Sequence, residues 1–367
     1  MHFNYMQQAI ALGETARYQS PPNPWVGCII VKDDKIVGLG CTQSPGHAHA
    51  EICALQVAQE KAQGATMYVS LEPCSHFGRT PPCVRSIVQA GISKIFIAQE
   101  DPDPRVRGKG IAYLQEHNIE VVIGLGKQEA YTSLSPYLYQ RQHEIPYTIL
   151  KAAISMDGRI ATETGTSKWI TSPEARQDAH LLRANSQAIV IGAGTAIHDL
   201  PKLTARYPDL TLPQQPLRVI IDTRGRVPAE GPLFDPQLAP TLVLTTEHTP
   251  ASKLNEWQKA GAEVAILPLF NQSVNLHEAW KYLGKRGVLQ ILVEGGATLQ
   301  TSLMKASLIN QLTLYVGPLL LGSKGIPFFT DIIPNFDEAP QFALMKVKQI
   351  ENCVRLDYSP LPKRLAT

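Results

Sequence analysis

Through the first half of the chain, short runs of apolar and β-branched residues alternate with stretches of helical spacing. "WVGCIIVKDDKIVGLGC" is two β-rich runs around Asp33–Asp34, which predicts a hairpin. In "AEICALQVAQEKAQ" the residues Ile52, Leu55 and Ala58 fall at helical spacing. "TMYVSLEP" and "SKIFIAQED" predict strands, "CVRSIVQAG" a short helix ending at Gly91, "GKGIAYLQEHN" another helix and "IEVVIGLG" a further strand. Strands separated by crossover helices predict a mostly parallel sheet with helices on both faces.

Around residues 140–147, "QRQHEIPY" interrupts this pattern with charge and Pro146, and a boundary is expected there. The expected domains are residues 1–145 and 146–367. The second half restarts with the strand "YTILKAAIS". "SPEARQDAHLLRANS" is a helix with Ser172 as N-cap and Pro173 at its first position. Strands follow at "AIVIGAG", "LRVIID", "TLVLTT" and "VLQILVEGG", then a helix, "ATLQTSLMKAS", directly after Gly295–Gly296. "NQLTLYVGPLLLG", "FALMKVKQI" and "CVRLDYS" complete the β-like runs.

Composition narrows the classes. The chain has 367 residues, 44% of them hydrophobic, in the range of globular proteins. No apolar run has the length of a membrane span, and the first residues lack the three-part pattern of a signal peptide, so a cytoplasmic protein without a membrane partner is expected. A net charge of +2 does not point to nucleic acid. The six cysteines are scattered, which argues against a disulfide framework. Cys28, Cys41, Cys53 and Cys353 lie in apolar segments and read as small core residues. Cys74 and Cys83 stand among prolines and polar residues.

Those two cysteines give "SPGHAHAEICAL" a meaning. His49 and Glu51 form H-x-E at a predicted helix start, and "LEPCSHFGRTPPC" follows, with a proline before each cysteine. One imidazole and two thiolates make a three-ligand zinc set that leaves a fourth position for water. Glu51, beside the metal but not on it, can carry protons, as in zinc deaminases. The spacing here is C-x8-C where most nucleobase deaminases have C-x2-C. The intervening loop would line the pocket, with His76 and Arg79 placed to hold an anionic group such as a phosphate. His47 is a pocket or surface residue in this reading, although a structural site could use it as a fourth ligand. Asn23, before a proline that leads into the first strand, offers a donor and an acceptor to a ring amide, or else makes a simple turn. In the second half, the strand–glycine–glycine–helix run "VEGGATLQ" can hold a phosphate at the helix N-terminus, although a glycine pair there is more often a tight turn.

Together "HAE", "LEPCSHFGRTPPC", "KAAISMDGRIA", "SKWITSPEAR" and "VEGGATL" resemble the bacterial bifunctional riboflavin-biosynthesis deaminase–reductase family, from "NPWVG" to "GPLLLG". The resemblance implies a cytidine-deaminase-like α/β/α domain followed by a dihydrofolate-reductase-like α/β domain. It implies zinc on His49, Cys74 and Cys83, proton transfer by Glu51, and NADPH as the second cofactor. The implied substrates are phosphorylated pyrimidines: 2,5-diamino-6-(5-phosphoribosylamino)pyrimidin-4-one is deaminated, then a ribosyl group is reduced to ribityl. Position by position, it places Ala153, Trp169, Thr195, Asp199 and the run Gly296, Ala297, Thr298, Leu299, Gln300, Thr301, Ser302 at NADPH. It places Ser167, Arg183, Leu203, Arg206 and Glu294 at the substrate. Arg183 and Arg206 suit a phosphate, which a guanidinium pairs bidentately. Lys151, on the strand that opens the domain, is expected to assist at the sugar, its bland alternative being a surface lysine at a strand edge. A homo-oligomer is the plain expectation for such an enzyme.

One departure stands in "HDLPKLTAR", where Leu200 replaces the second aspartate of the family's usual Asp-Asp-Pro. Three other readings are kept open: a zinc deaminase acting on nucleic acid, a non-catalytic zinc module joined to a degenerate reductase, and a protein with one working domain.

Overall fold

The computed structural model describes residues 1–78, 81–330, 335 and 338–361. The chain divides into two compact units, Met1–Ile145 and Pro146–Thr367.

The first unit runs α1 (His2–Glu14), β1 (Gly27–Lys32), β2 (Lys35–Cys41), α2 (Ala50–Ala58), β3 (Thr66–Val69), α3 (Cys83–Gln89), β4 (Lys94–Ile97), α4 (Lys109–Glu116), β5 (Glu120–Ile123) and α5 (Lys127–His143). Its sheet has the order β2-β1-β3-β4-β5. Asp33 and Asp34 both take positive φ, 49° and 58°, as a tight hairpin turn between β1 and β2 requires. β1 is antiparallel to both of its neighbours, and only β3, β4 and β5 run parallel. The sheet is therefore mixed, because β1 enters by a hairpin rather than by a crossover helix.

Alternation along β1 separates its two faces. Ile29 and Val31 pack with Met6, Ala9 and Ile10 of α1 and Ala130 of α5. Cys28 lies on the other face, where burial first, and Glu51 and Cys53 of α2 after it, push its thiol up. Gly27 is needed at the α1 crossing, since a Cβ there would stand 1.9 Å from the Ala9 carbonyl oxygen. Cys28 and Cys353 are buried, whereas Cys41 and Cys53 are only half-buried. The charged stretch expected to break the pattern at 140–147 is helical as far as His143, and α5 contains Pro136. The buried face Ala130, Leu134, Tyr137 and Leu138 carries the helix past the missing proline donor, and Glu144 ends it with φ 61°.

The second unit runs β6 (Tyr147–Ser155), β7 (Arg159–Ala161), α6 (Pro173–Ala184), β8 (Ala188–Gly192), α7 (Ala193–Asp199), β9 (Leu217–Ile221), β10 (Thr241–Thr245), α8 (Ala251–Lys259), β11 (Glu263–Ile266), β12 (Leu269–Phe270), β13 (Ser273–Val274), α9 (Leu276–Lys285), β14 (Gln290–Val293), α10 (Ala297–Lys305), β15 (Gln311–Gly317), β16 (Ile326–Pro327), β17 (Phe342–Ile350) and β18 (Cys353–Pro360). Nine strands form one sheet in the order β11-β10-β9-β8-β14-β6-β15-β18-β17. It is parallel from β11 through β15, and its strands there read as unbroken apolar runs because both faces are covered. β18 and β17 add an antiparallel edge. Ser172 caps α6 by accepting from the Ala175 N–H at 3.2 Å, with Pro173 in the first turn. On one side, Ile189 and Ile191 pack with Trp257 of α8; on the other, Ile149 and Leu292 pack with Ala179 and Leu182 of α6.

Candidate active sites

In the first unit two helix N-termini meet. His49 is the N-cap of α2 and Cys83 the first residue of α3. His49 Nδ1 lies 3.6 Å from Cys74 Sγ and 3.4 Å from Cys83 Sγ, and the Cys83 backbone N–H donates to Cys74 Sγ at 3.4 Å. Tetrahedral zinc, with bonds of about 2.3 Å to sulfur and 2.0 Å to nitrogen, sets its ligand atoms roughly 3.6 Å apart. The three donors therefore fit zinc. His47 is exposed and stands outside this group, its N–H closing a turn on the Ser44 carbonyl at 3.0 Å. Three protein donors, rather than four, are thus brought together among the described residues.

The electrostatics suit the chemistry. The Cys83 thiol, and His49 after it, pull the Cys74 thiol down to about 4 against the opposing effect of burial. Helix N-termini favour thiolates in the same way. Glu51, in the first turn of α2, is 4% exposed and makes no part of the donor set. Burial raises its carboxyl, with His49 opposing. A buried carboxyl raised in this way can take up a proton and return it.

A residue that gave no signal in the sequence braces this loop. The Glu72 carboxylate accepts from the backbone N–H groups of Asp101 (3.3 Å), Gly108 (3.1 Å), Gly110 (3.0 Å) and Ile111 (3.3 Å). It thereby fixes the chain two residues before Cys74. His76 is half-buried, and its Nδ1 is buried without a hydrogen-bond partner among the described residues. Arg79 lies outside the described residues. Asn23 is half-buried in a turn closed by its own N–H on the Ser20 carbonyl at 2.8 Å. Among the described residues, no hydrogen bond ties its side chain to the His49 group.

The second unit opens a cavity of about 1800 Å³ around the carboxyl ends of β8, β14 and β9. Such a position, beyond the strand ends of an open parallel sheet, is where α/β folds bind ligands. The volume exceeds the roughly 300–1,000 Å³ of a single small-molecule pocket, so a cofactor and a substrate both fit. Ala153, Ser167, Trp169, Arg183, Thr195, Asp199, Leu203, Arg206, Glu294, Gly296, Ala297, Thr298, Leu299, Gln300 and Ser302 all line it, as does Lys151. Trp169 is 64% exposed, a wall rather than a core residue, and the Arg176 guanidinium lies 4.1 Å from its ring centre.

Thr301 does not line the cavity. It is buried on the opposite side of α10 and accepts from the Thr330 N–H at 3.0 Å. A helix turns consecutive residues through its whole circumference, so an unbroken run cannot face one ligand. The N-terminus of α10 fits a cofactor phosphate. Gly296 starts it with extended backbone, and a Cβ at Gly296 would stand 3.7 Å from Thr195 Oγ1, inside that space.

Register explains the charged floor. Leu150 pairs with Val293, so Lys151 and Glu294 follow side by side on adjacent strands. Lys151 is therefore not at a sheet edge but on β6, between β14 and β15. Burial lowers its ammonium, Glu294 opposes this and Arg183 adds to it. Burial would raise the Glu294 carboxyl, but Arg183 beside it prevails and holds it down to about 2. Arg183 was expected to face a phosphate. Here its Nε and Nη2 engage Glu294 at 2.5 and 2.9 Å, and its Nη1 the Thr204 carbonyl at 3.1 Å. A buried cation and carboxylate this close hold each other. Leu200 caps α7 in the left-handed conformation, φ 42° and ψ 51°, at the rim. His180, one turn before Arg183 on α6, also lines the cavity and was not singled out in the sequence. Its spacing of three from an arginine on one helix was the available signal.

Comparison with known proteins places each unit in a family. Residues 1–99 match the cytidine and deoxycytidylate deaminase zinc-binding region, and residues 146–356 match the RibD C-terminal domain. The chain is 45% identical to the riboflavin biosynthesis protein RibD of Chlamydia pneumoniae, over 94% of this chain and 92% of that one. It is 38% identical to RibD of Escherichia coli, over 94% and 96%. Among solved structures, Acinetobacter baumannii RibD superposes with a TM-score of 0.90 at 37% identity, covering 98% of this chain and 99% of that one. A Thermotoga maritima diaminohydroxyphosphoribosylaminopyrimidine deaminase/5-amino-6-(5-phosphoribosylamino)uracil reductase gives 0.86 at 29% identity, with coverage of 98% and 99%. No helix among the described residues is long and apolar enough to cross a membrane. With relatives this similar over nearly its whole length, and a zinc-fitting donor set in one unit and a large cavity at the strand ends of the other, the chain belongs to the RibD family of bifunctional riboflavin-biosynthesis deaminase–reductases.

Proposed function

We propose that the first unit removes an amino group from 2,5-diamino-6-(5-phosphoribosylamino)pyrimidin-4-one. The second unit then reduces the ribosyl group of 5-amino-6-(5-phosphoribosylamino)uracil to ribityl. The observation that carries this reading is a buried carboxyl, Glu51, beside a three-donor set that it does not join. A purely structural zinc site has four protein ligands and no use for such an acid.

When bound, zinc supplies an activated water and NADPH supplies a hydride. His49, Cys74 and Cys83 hold the metal. Glu51 takes one proton from the attacking water and hands it to the ring nitrogen, then takes the second from the resulting hydroxyl and hands it to the amine, which leaves as ammonia as the C–N bond breaks. In the second unit the α10 N-terminus, Thr195 and Asp199 hold the cofactor, with Ala153 and Trp169 lining its path. Lys151 and Glu294 face the sugar, where the lysine carries a proton to the oxygen that leaves C1 as the ring opens.

Purified, zinc-loaded protein given the diaminopyrimidine ribosyl phosphate should release ammonia and then oxidise NADPH, followed at the cofactor's absorbance maximum. Ammonia without NADPH loss would leave only the first reaction standing. No ammonia, with zinc present, would overturn the proposal.

A further inference from the structure

We infer that His180, in the tautomer that carries its proton on Nε2, donates a hydrogen bond to the anionic group of the substrate in the second unit's cavity, beside Arg206. The inference rests on reading that cavity as the reductase site.

Three contacts lead to it. The Arg206 backbone N–H donates to His180 Nδ1 at 3.2 Å. A backbone N–H has no other role, so Nδ1 is an acceptor and a neutral ring must carry its proton on Nε2. His180 Nε2 in turn lies 3.4 Å from Arg206 Nη2. A guanidinium has no acceptor, so these two nitrogens are both donors and cannot satisfy each other. The ring is neutral in the ordinary pH range. Burial lowers it first, then Arg183 and Arg206, to about 4, against Glu294 and the Thr204 carbonyl.

Two acceptors near the ring, the Thr204 carbonyl and the Glu294 carboxylate, already take Arg183. The Thr204 carbonyl near the ring takes Arg183 Nη1 at 3.1 Å. Glu294 takes the other two prongs of Arg183. Arg206 also donates to the Thr204 hydroxyl, through Nη1, which leaves Nη2 on the side of His180. Two donors 3.4 Å apart can share one oxygen placed about 2.8–2.9 Å from each, the usual distance for a charge-assisted bond. A phosphate oxygen meets that geometry and a neutral sugar hydroxyl meets it less well. With Arg183 held by Glu294, Arg206 and His180 are the pair left to recognise the anion.

The test uses the full chain, with His180→Ala and His180→Gln, since glutamine can place an amide N–H at similar reach. Histidine-selective ¹⁵N NMR follows titration with ribose 5-phosphate and, separately, with ribose. The His180 Nε2 resonance should move with ribose 5-phosphate only, while Nδ1 stays in the unprotonated range. In steady-state assays, His180→Ala should raise KM for the phosphorylated substrate about tenfold with kcat within about twofold. The dephosphorylated substrate should be unaffected, and His180→Gln should recover most of the loss. A Nδ1 signal in the protonated range, equal losses with both substrates, or a fall in kcat alone would overturn the inference. Wild-type protein that binds ribose 5-phosphate through His180 yet never oxidises NADPH would uphold the contact and sink the reductase reading instead.

Discussion

Arg183 grips Glu294 with two prongs, Nε on Oε1 at 2.5 Å and Nη2 on Oε2 at 2.9 Å, and both side chains are mostly withdrawn from solvent. Breaking a buried pair from one side strands the other charge. Glu294→Gln should therefore destabilise the second unit by about 3 kcal/mol. Chemical denaturation of the full chain, read as a shift in that unit's transition, checks it. An unmoved midpoint would mean that solvent already screens the pair.

Asp178 gives a pH prediction. It accepts from Tyr315 Oη (2.6 Å), Lys348 Nζ (2.6 Å) and Arg355 Nη1 (2.8 Å), and so ties α6 to β15, β17 and β18. Burial raises its carboxyl, but these three bonds outweigh burial and leave it below its ordinary value. A carboxyl depressed in the folded state stabilises the fold above the unfolded value, about 3.9, and that stability is lost as the pH falls through the folded value. The stability gap between wild type and Asp178→Asn should thus narrow as the pH drops below about 4. A gap independent of pH would show that packing rather than charge holds the network.

Glu51→Gln preserves shape and removes the ability to shuttle a proton. Zinc content, by elemental analysis, should be unchanged while deamination falls by roughly two to four orders of magnitude. Full turnover in the glutamine variant would take Glu51 out of the proton path.

Cys83→Ala should lower zinc content outright. Glu72→Ala should lower it less directly, because four backbone N–H groups lose their acceptor and each unsatisfied group costs about 1–3 kcal/mol. Zinc retained by Cys83→Ala would mean that another group is the ligand. Glu72→Ala protein that keeps both zinc and melting temperature would show that the loop holds without its brace.

Leu200 occupies a left-handed cap that asparagine and aspartate tolerate better. Leu200→Asn should raise stability by about 0.5–1 kcal/mol. A lower melting temperature would show that the leucine side chain packs usefully at the rim.

What could be read in advance was local or chemically rare. The Asp33–Asp34 hairpin follows from two residues that accept positive φ. The zinc donors stand out because histidine and cysteine with flanking prolines are uncommon, and eight residues of loop between the cysteines do not hide them. Glu72 could not be found in this way. A single glutamate before Pro-Cys says nothing until α4 and its preceding loop aim four amides at it. The mixed sheet was misjudged because the pairing of β1 with β3 is a long-range choice that strand spacing does not encode. α5 was missed because Pro136 outweighs, in sequence, the apolar face that carries the helix in three dimensions. Thr301 was swept into a run that only part of a helix surface can serve.

The place of β6 in the second sheet bears on the order of events at the ribosome. β6 is the first strand of its unit to be made, and Leu150 pairs with Val293 on one side and Leu312 on the other. Both partners emerge only when most of the unit has been synthesised. This interior strand therefore waits, apolar and unpaired, through most of that synthesis. Non-local pairing of this kind is slow and exposes sticky edges. The first unit has no such delay, since its five strands are contiguous in the first 145 residues. Its sheet can close while the second is still being assembled, which makes β6 the segment of this chain most in need of protection during synthesis.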